Sequence, residues 1–290
     1  MPQSLRQIKR RIKSVENTKK ITKAMEMVAA SKLRKYQDLL GQTRAYAHEL
    51  DRMLRRITST ATSYTHPFFE KREEGNALIF LISSDSGLCG SYNFNLFQTV
   101  ERFLAERISP NSFFTIGRQG FNYLKRKKQT VVGEIGIPRP QEISGALKNI
   151  METAKNYFLE KKVGLVYFIY TDFISMANYR PKVEQLLPLE GIEAEDEQPN
   201  VSTVEYILEP SPEKILEDMI PHYLELKIEQ ALKGALVSEQ VSRMMAMRQA
   251  TDNATEMIDS LTLQRNKARQ ASITKELIEI VSGFKAQQAK

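Results

Sequence analysis

Apolar residues near the start of the chain recur three and four positions apart. Leu5, Ile8, Ile12 and Val15 are followed by Ile21, Met25 and Val28, then by Leu33, Tyr36, Leu40, Ala47, Leu50, Leu54 and Ile57. That spacing marks one face of a helix. Residues 4–58 hold no proline and a single glycine, Gly41, so the pattern predicts one helix of roughly 80 Å. A helix that long without internal caps reads as a coiled coil or a helical arm.

The other end of the chain mirrors the first. Ser211-Pro212-Glu213-Lys214 is a start signal, with serine as N-cap, proline at the first helical position and acid in the first turn. Pro221 is expected to kink or restart the helix. From His222 to Ser282 there is no proline and only Gly234. The apolar series runs through Leu224, Ile228, Leu232, Val241, Met245, Ala254, Met257, Leu261, Ala268, Ile273, Leu277 and Ile280, and Gly283 is a natural C-cap.

Two long amphipathic helices in one chain bury their stripes most readily against each other. A domain joining the end of one to the start of the other makes the pair antiparallel, and the near-3.5 period predicts left-handed winding. Lys19, Lys32 and Thr43 fall at or near stripe positions, so the seam is imperfect. The C-terminal helix outreaches its partner: residue 4 should face the region of 270. The turns from Ile273 to Phe284 then project alone and expose apolar surface.

Between the helices the pattern changes period. Ala77–Ser83 is a continuous apolar run, the mark of a buried strand. A turn at 84–91 leads to a helix over 93–107. Strands are predicted at 112–117 and 130–135, a basic helix at 118–127, a helix at 142–160 and a buried strand at 163–170. Ile174–Leu187 and Val201–Leu208 read as antiparallel edge strands, and Glu190–Pro199 as a solvated loop. The alternation predicts a Rossmann-like, mostly parallel sheet covered on both faces. The expected fold class is α/β plus coiled coil: an N-terminal helix over 1–58, a central α/β domain over 76–208 and a C-terminal helix over 211–284.

Composition adds three points. With 41% hydrophobic and 27% charged residues the chain reads as ordered. No apolar run approaches the ~20 residues that span a bilayer, and the first ten residues lack the apolar core of a secretory signal. Cys89 is the sole cysteine, so a reducing, intracellular compartment is expected. The net charge of +7 is uneven: residues 1–56 carry fifteen Lys/Arg against five Asp/Glu, while the middle of the chain is acidic. A basic first helix fits nucleic acid, an anionic membrane surface or an acidic protein partner. Nucleic acid is disfavoured because Tyr36 is the first aromatic, so stacking residues are not interleaved with the cations.

Candidate chemistry is sparse. The loop Ser83-Ser-Asp-Ser-Gly-Leu-Cys-Gly-Ser-Tyr-Asn93 follows a strand and precedes a helix, where α/β folds bind phosphates. It lacks the lysine and Ser/Thr of a P-loop and is not GxGxxG, so a tight strand-to-helix turn is the better reading. Cys89 has no histidine nearby in sequence and is expected to be buried as a small hydrophobe. His48, His66 and His222 are isolated, so no metal, cofactor or catalytic constellation is expected.

Specific stretches resemble a known family. Ile21-Thr-Lys-Ala-Met-Glu-Met-Val-Ala-Ala-Ser-Lys32 is similar to the N-terminal helix of the gamma subunit of F-type ATP synthases. Ala250-Thr-Asp-Asn253 and Asn266-Lys-Ala-Arg-Gln-Ala-Ser-Ile-Thr-Lys-Glu-Leu-Ile-Glu-Ile-Val-Ser-Gly283 resemble its C-terminal helix, and Ser84-Asp-Ser-Gly-Leu-Cys-Gly90 its central turn. The resemblance spans the chain in order.

It implies a rotating central stalk, one copy per complex, inside a hexamer of three alpha and three beta subunits, with the epsilon subunit and the membrane c-ring below. Proton flow would turn the ring and the stalk, driving the hexamer's nucleotide sites through their conformations. The chain itself would be a non-catalytic, peripheral subunit on the cytoplasmic face of the cell membrane. By resemblance, hexamer contacts map onto Met25, Arg243, Arg269, Gln270 and Thr274. The apolar tip Ile273, Leu277, Ile280, Val281 and Phe284 would turn in a sleeve. Departures from the family pattern are Ser86, where arginine is common, and Ser91, where a second glycine is. The two-cysteine regulatory insert of chloroplast relatives is not matched. The rival readings are a coiled-coil scaffold or nucleic-acid-binding protein, and a small-molecule enzyme built on the α/β domain.

Overall fold

The computed structural model describes residues 5–60, 66–70, 72, 75–107, 109–189 and 209–288, without the side chains of 56, 58–60, 212 and 284–288. The expected strand at 201–208, the expected loop at 190–199 and the Phe284 side chain lie outside the described residues. The chain forms two compact units, one of residues 30–242 and one of residues 1–29 with 243–290.

The larger unit is built on a sheet. Helix α1 (Leu5–Thr60) leads into strand β1 (Ala77–Ile82), helix α2 (Tyr92–Ala105), strand β2 (Asn111–Ile116), helix α3 (Arg118–Arg126) and strand β3 (Thr130–Ile135). Helix α4 (Ile143–Leu159), strands β4 (Leu165–Phe173) and β5 (Tyr179–Leu187) and helix α5 (Pro212–Gln288) follow. The order across the sheet is β3-β2-β1-β4-β5, parallel except for β5. β5 starts at Tyr179 rather than Ile174, because residues 174–178 form the turn of the β4–β5 hairpin, with Ser175 N donating to Asn178 O at 2.8 Å.

Central position explains β1. All six of its residues are buried, so both faces read apolar. Ala77, Ile79 and Leu81 pack with Leu96 and Val100 of α2 and Leu124 of α3. The other face carries Phe80, stacked on Phe168 at 4.9 Å and tilted against Phe114 at 5.3 Å. The contacts of Leu96, Val100 and Leu124 put α2 and α3 on one face of the sheet.

Within this unit α1 buries Leu33, Tyr36, Leu40, Thr43, Ala47, Leu50, Leu54 and Ile57, alternating three and four apart. α5 is one helix through Pro221, and every residue from Ala231 to Ser242 is buried. The two helices are antiparallel here: Tyr223 Oη donates to Asp51 Oδ1 at 2.9 Å, and further along α5 Lys233 Nζ donates to Thr43 Oγ1 at 2.8 Å.

The smaller unit is the antiparallel pairing of the first part of α1 with the last part of α5. Ile8, Ile12 and Leu261 form its apolar cluster, with Val15 and Ala268 against it. Thr22 and Thr251 share a hydrogen bond of 2.8 Å. The seam corrects the expected stripe. Ile21 and Val28 are 60% and 56% exposed, and the buried positions are Thr22 and Ala29. Met245 and Met257 are likewise half exposed. Burial follows a 3.5-residue period, and small side chains occupy it where the backbones come close enough for two threonines to bond.

Asp51 gives the α1–α5 pairing a pH dependence. Burial pushes its carboxyl up, but hydrogen bonds from Arg55 and Tyr223 outweigh this and hold it below the ordinary value of 3.8. A carboxyl depressed in the folded state adds stability above its unfolded pKa and loses it as pH falls through the folded one. The urea midpoint is therefore expected to fall on acidification below about pH 4, and less steeply in Asp51→Asn. An equal acid slope in the two proteins would refute this role.

Candidate functional site

The loop after β1 is the place where an α/β sheet would hold a ligand, and its polar atoms are engaged in the fold. Ser83 Oγ accepts from Gly120 N at 2.7 Å and donates to Gly117 O at 3.1 Å. Asp85 accepts from Arg118 N at 3.0 Å and Ile137 N at 3.1 Å, tying together the loops after β1, β2 and β3. Asn93 closes the loop, donating to Ser84 Oγ at 2.7 Å and accepting from Ser84 N at 3.2 Å. Leu88 and Gly90 adopt positive φ, which gives the turn its tight geometry.

The carboxyl edge of the sheet is filled by the long helices. Ser242 Oγ of α5 donates to Cys89 O at 2.7 Å, Tyr92 Oη donates to Ala235 O at 3.3 Å, and Tyr36 Oη of α1 donates to Pro138 O at 3.4 Å. Cys89 is buried, as expected. Among the described residues no cluster of His, Cys, Asp and Glu could hold a metal, and no helix is long and apolar enough to cross a membrane. A cavity of about 110 Å³ lies between β5 and α5, against Glu184, Tyr223 and Lys227, with room for a few waters.

The candidate surface is instead on the helices. Arg6, Lys9, Arg10, Arg11, Lys13, Lys20 and Lys23 of α1 are exposed, and of these Lys23 pairs with Glu26 at 3.0 Å. From Arg269 to Gly283 every residue is exposed, including Ile273 (49%), Leu277 (57%), Ile280 (68%) and Val281 (55%). By the Thr22–Thr251 register Leu5, the first described residue of α1, faces the region just before this stretch.

The five residues named from the resemblance fall into two groups. Met25 is half-buried and Arg243 is 9% exposed. The Thr22–Thr251 bond sets them within about two helical turns of each other. Arg269, Gln270 and Thr274 lie roughly 40 Å further along α5, on its exposed end, where Thr274 Oγ1 donates to Gln270 O at 3.0 Å.

One buried polar group has no counterpart among the expected site residues. Lys233 is 6% exposed between the helices. The signal was present: a lysine inside the apolar run Ala231-Leu-Lys-Gly-Ala-Leu-Val237.

These features define a class: in the larger unit two antiparallel helices plug the ligand-binding edge of an α/β sheet, and in the smaller one an antiparallel helix pair has an end of α5 that no described residue covers. The sequence model of the ATP synthase family matches residues 4–287. The ATP synthase gamma chain of Symbiobacterium thermophilum is 38% identical over 99% of this chain and 100% of its own length. That of Histophilus somni strain 2336 is 40% identical over 97% and 98%. Among solved structures, the central stalk/c-ring of Tetrahymena thermophila mitochondrial ATP synthase matches with TM-score 0.60 and 25% identity, over 79% of this chain and 99% of that one. The rotor of the Euglena gracilis mitochondrial enzyme shares the fold, with TM-score 0.65 and 16% identity over 93% and 98%. The chain belongs to the ATP synthase gamma chain family. The scaffold and nucleic-acid readings find no support among these relatives.

Proposed function

We propose that the chain is the central rotor stalk of a proton-translocating ATP synthase. It couples rotation of a c-ring to conformational cycling of an alpha3-beta3 hexamer, in synthesis and in the reverse direction of hydrolysis. The observation that carries this reading is the end of α5 from Arg269 to Gly283, an apolar tip that no described residue covers. Exposed apolar surface of this kind calls for a housing, and the hexamer's sleeve supplies one. The cationic face of α1 can exchange ion pairs with acidic loops on successive beta subunits, each weak enough to release.

In this reading the chain is non-catalytic, present once per complex and peripheral on the cytoplasmic face of the membrane. The epsilon subunit and the c-ring are its other partners, and the nucleotide sites belong to alpha and beta. The engaged polar atoms of the loop at 83–93 support that division. Arg269→Ala with Gln270→Ala is expected to lower ATP synthesis by the reconstituted complex about tenfold, some 1.4 kcal/mol of lost coupling, with the isolated chain still folded because both side chains are exposed. Synthesis at the unsubstituted rate would sink these contacts.

A further inference from the structure

We propose that Lys233, Thr43, Arg44 and Asp172 form a torque clamp, fixing the helix pair to the sheet of the larger unit so that the two turn together. The inference rests on the stalk reading and names the residues through which force passes inside the chain.

Two adjacent pairs in sequence meet at one point. Lys233 Nζ donates to Thr43 Oγ1 at 2.8 Å and Leu39 O at 3.4 Å, and pairs with Glu229 at 2.5 Å, joining α5 to α1. The next residue of α1, Arg44, donates to Phe173 O and lies 3.6 Å from Asp172 at the end of β4. The next residue of α5, Gly234, passes so close to the same strand end that an added Cβ would lie 3.5 Å from Asp172 Oδ1 and 3.9 Å from Phe173 N. One strand end is thus bonded by α1 and flanked by α5, and Lys233 locks the two helices together at that level. A second tie lies two to three turns back along α5: Tyr170 Oη donates to Glu184 at 2.6 Å, Lys227 lies 3.9 Å from Glu184, and Tyr223 reaches Asp51 of α1.

Apolar packing is non-directional and yields to small shear. Hydrogen bonds weaken steeply with distance and angle, and a buried ammonium torn from its partners has no water to replace them. Apolar residues at Lys233 would hold the helices together. The buried charge resists turning.

The test is torsional. In a complex rebuilt with alpha and beta subunits and stalled with nucleotide, a rod is attached to the sheet through Ser144→Cys on α4, an exposed position. Labelling is selective because Cys89 is 2% exposed. Lys233→Met is expected to raise the angular variance of the rod about twofold, as when one of two equal springs in parallel is removed, with hydrolysis by the soluble complex unchanged. Thr43→Val removes the same bond with little change of shape and is expected to act alike. Lys233→Gln, which keeps a donor, should fall between. Unchanged variance in Thr43→Val and Lys233→Met overturns the clamp, as does a rise matched by Lys233→Gln in full. Failure of the unsubstituted chain to rotate in the hexamer overturns the stalk reading itself.

Discussion

Gly117→Ala is expected to lower the free energy of unfolding by about 3 kcal/mol or more. Gly117 links β2 to α3 with φ +99° and ψ 136°, a region that side chains avoid. Its surroundings are closed as well. An added Cβ would lie 2.3 Å from Ser83 O and 2.8 Å from Ser83 Oγ. The first contact is with backbone of the residue that follows the central strand. The second is with a hydroxyl already bonded to Gly117 O and Gly120 N. Neither can move without breaking the junction of β1, β2 and α3. Urea denaturation measures the effect as a lower midpoint at constant slope. Gly41→Ala is the internal contrast: it lies within α1 with nothing near the added Cβ, and is expected to stabilise by about 0.5–1 kcal/mol. Equal midpoints for the two variants would remove the strain argument.

Phe80→Ala is expected to cost about 3–5 kcal/mol. The ring is fully buried in the middle strand, with Phe168 stacked on it at 12° and Phe114 tilted at 43°. Neighbours on both sides are themselves fixed in strands, so the cavity cannot close by a shift of one element. Gly133 adds to this constraint. A Cβ there would lie 2.6 Å from the Phe114 ring, so the ring already fills the space that strand β3 leaves. A loss under about 1 kcal/mol would mean that the core relaxes into the gap, contrary to this packing.

Legibility in the sequence followed the range of the interaction. Both long helices, their antiparallel sense and the uncovered end of α5 were readable, because apolar periodicity and the absence of proline are local signals carried over many turns. The strands β1 and β4 were readable because buried parallel strands are continuous apolar runs, and β2 and β3 from their place in the alternation of strands and helices. The seam face near Ile21 and Val28 was not. Apolar residues sit on both the buried and the exposed sides of that stretch, and Thr22 and Ala29 take the seam because close approach selects for size over hydrophobicity. The start of β5 at Tyr179 was not readable either. Ile174 is apolar, but 46% exposed on the hairpin turn. The family motif at 84–90 marked the loop after β1, whereas its role as a junction rests on Asp85 and Ser83 bonds to residues more than thirty positions away.

By itself, then, the sequence determined the elements: two long helices of unequal reach, an alternating α/β segment between them, positive charge on the first helix and an apolar end on the second. Those properties depend on residues a few positions apart, and elementary helix and strand geometry converts them directly into structure. Tertiary structure decided what the elements do to one another. It set α5 across the carboxyl edge of the sheet, where Ser242 and Ala235 meet the loop that would otherwise face a ligand. It also turned Lys233 from an oddity in an apolar run into a buried tie between α1 and α5. The partners in these contacts lie up to 194 residues apart in the chain, and no local pattern encodes a hydrogen bond that exists only once the backbone has brought both ends together.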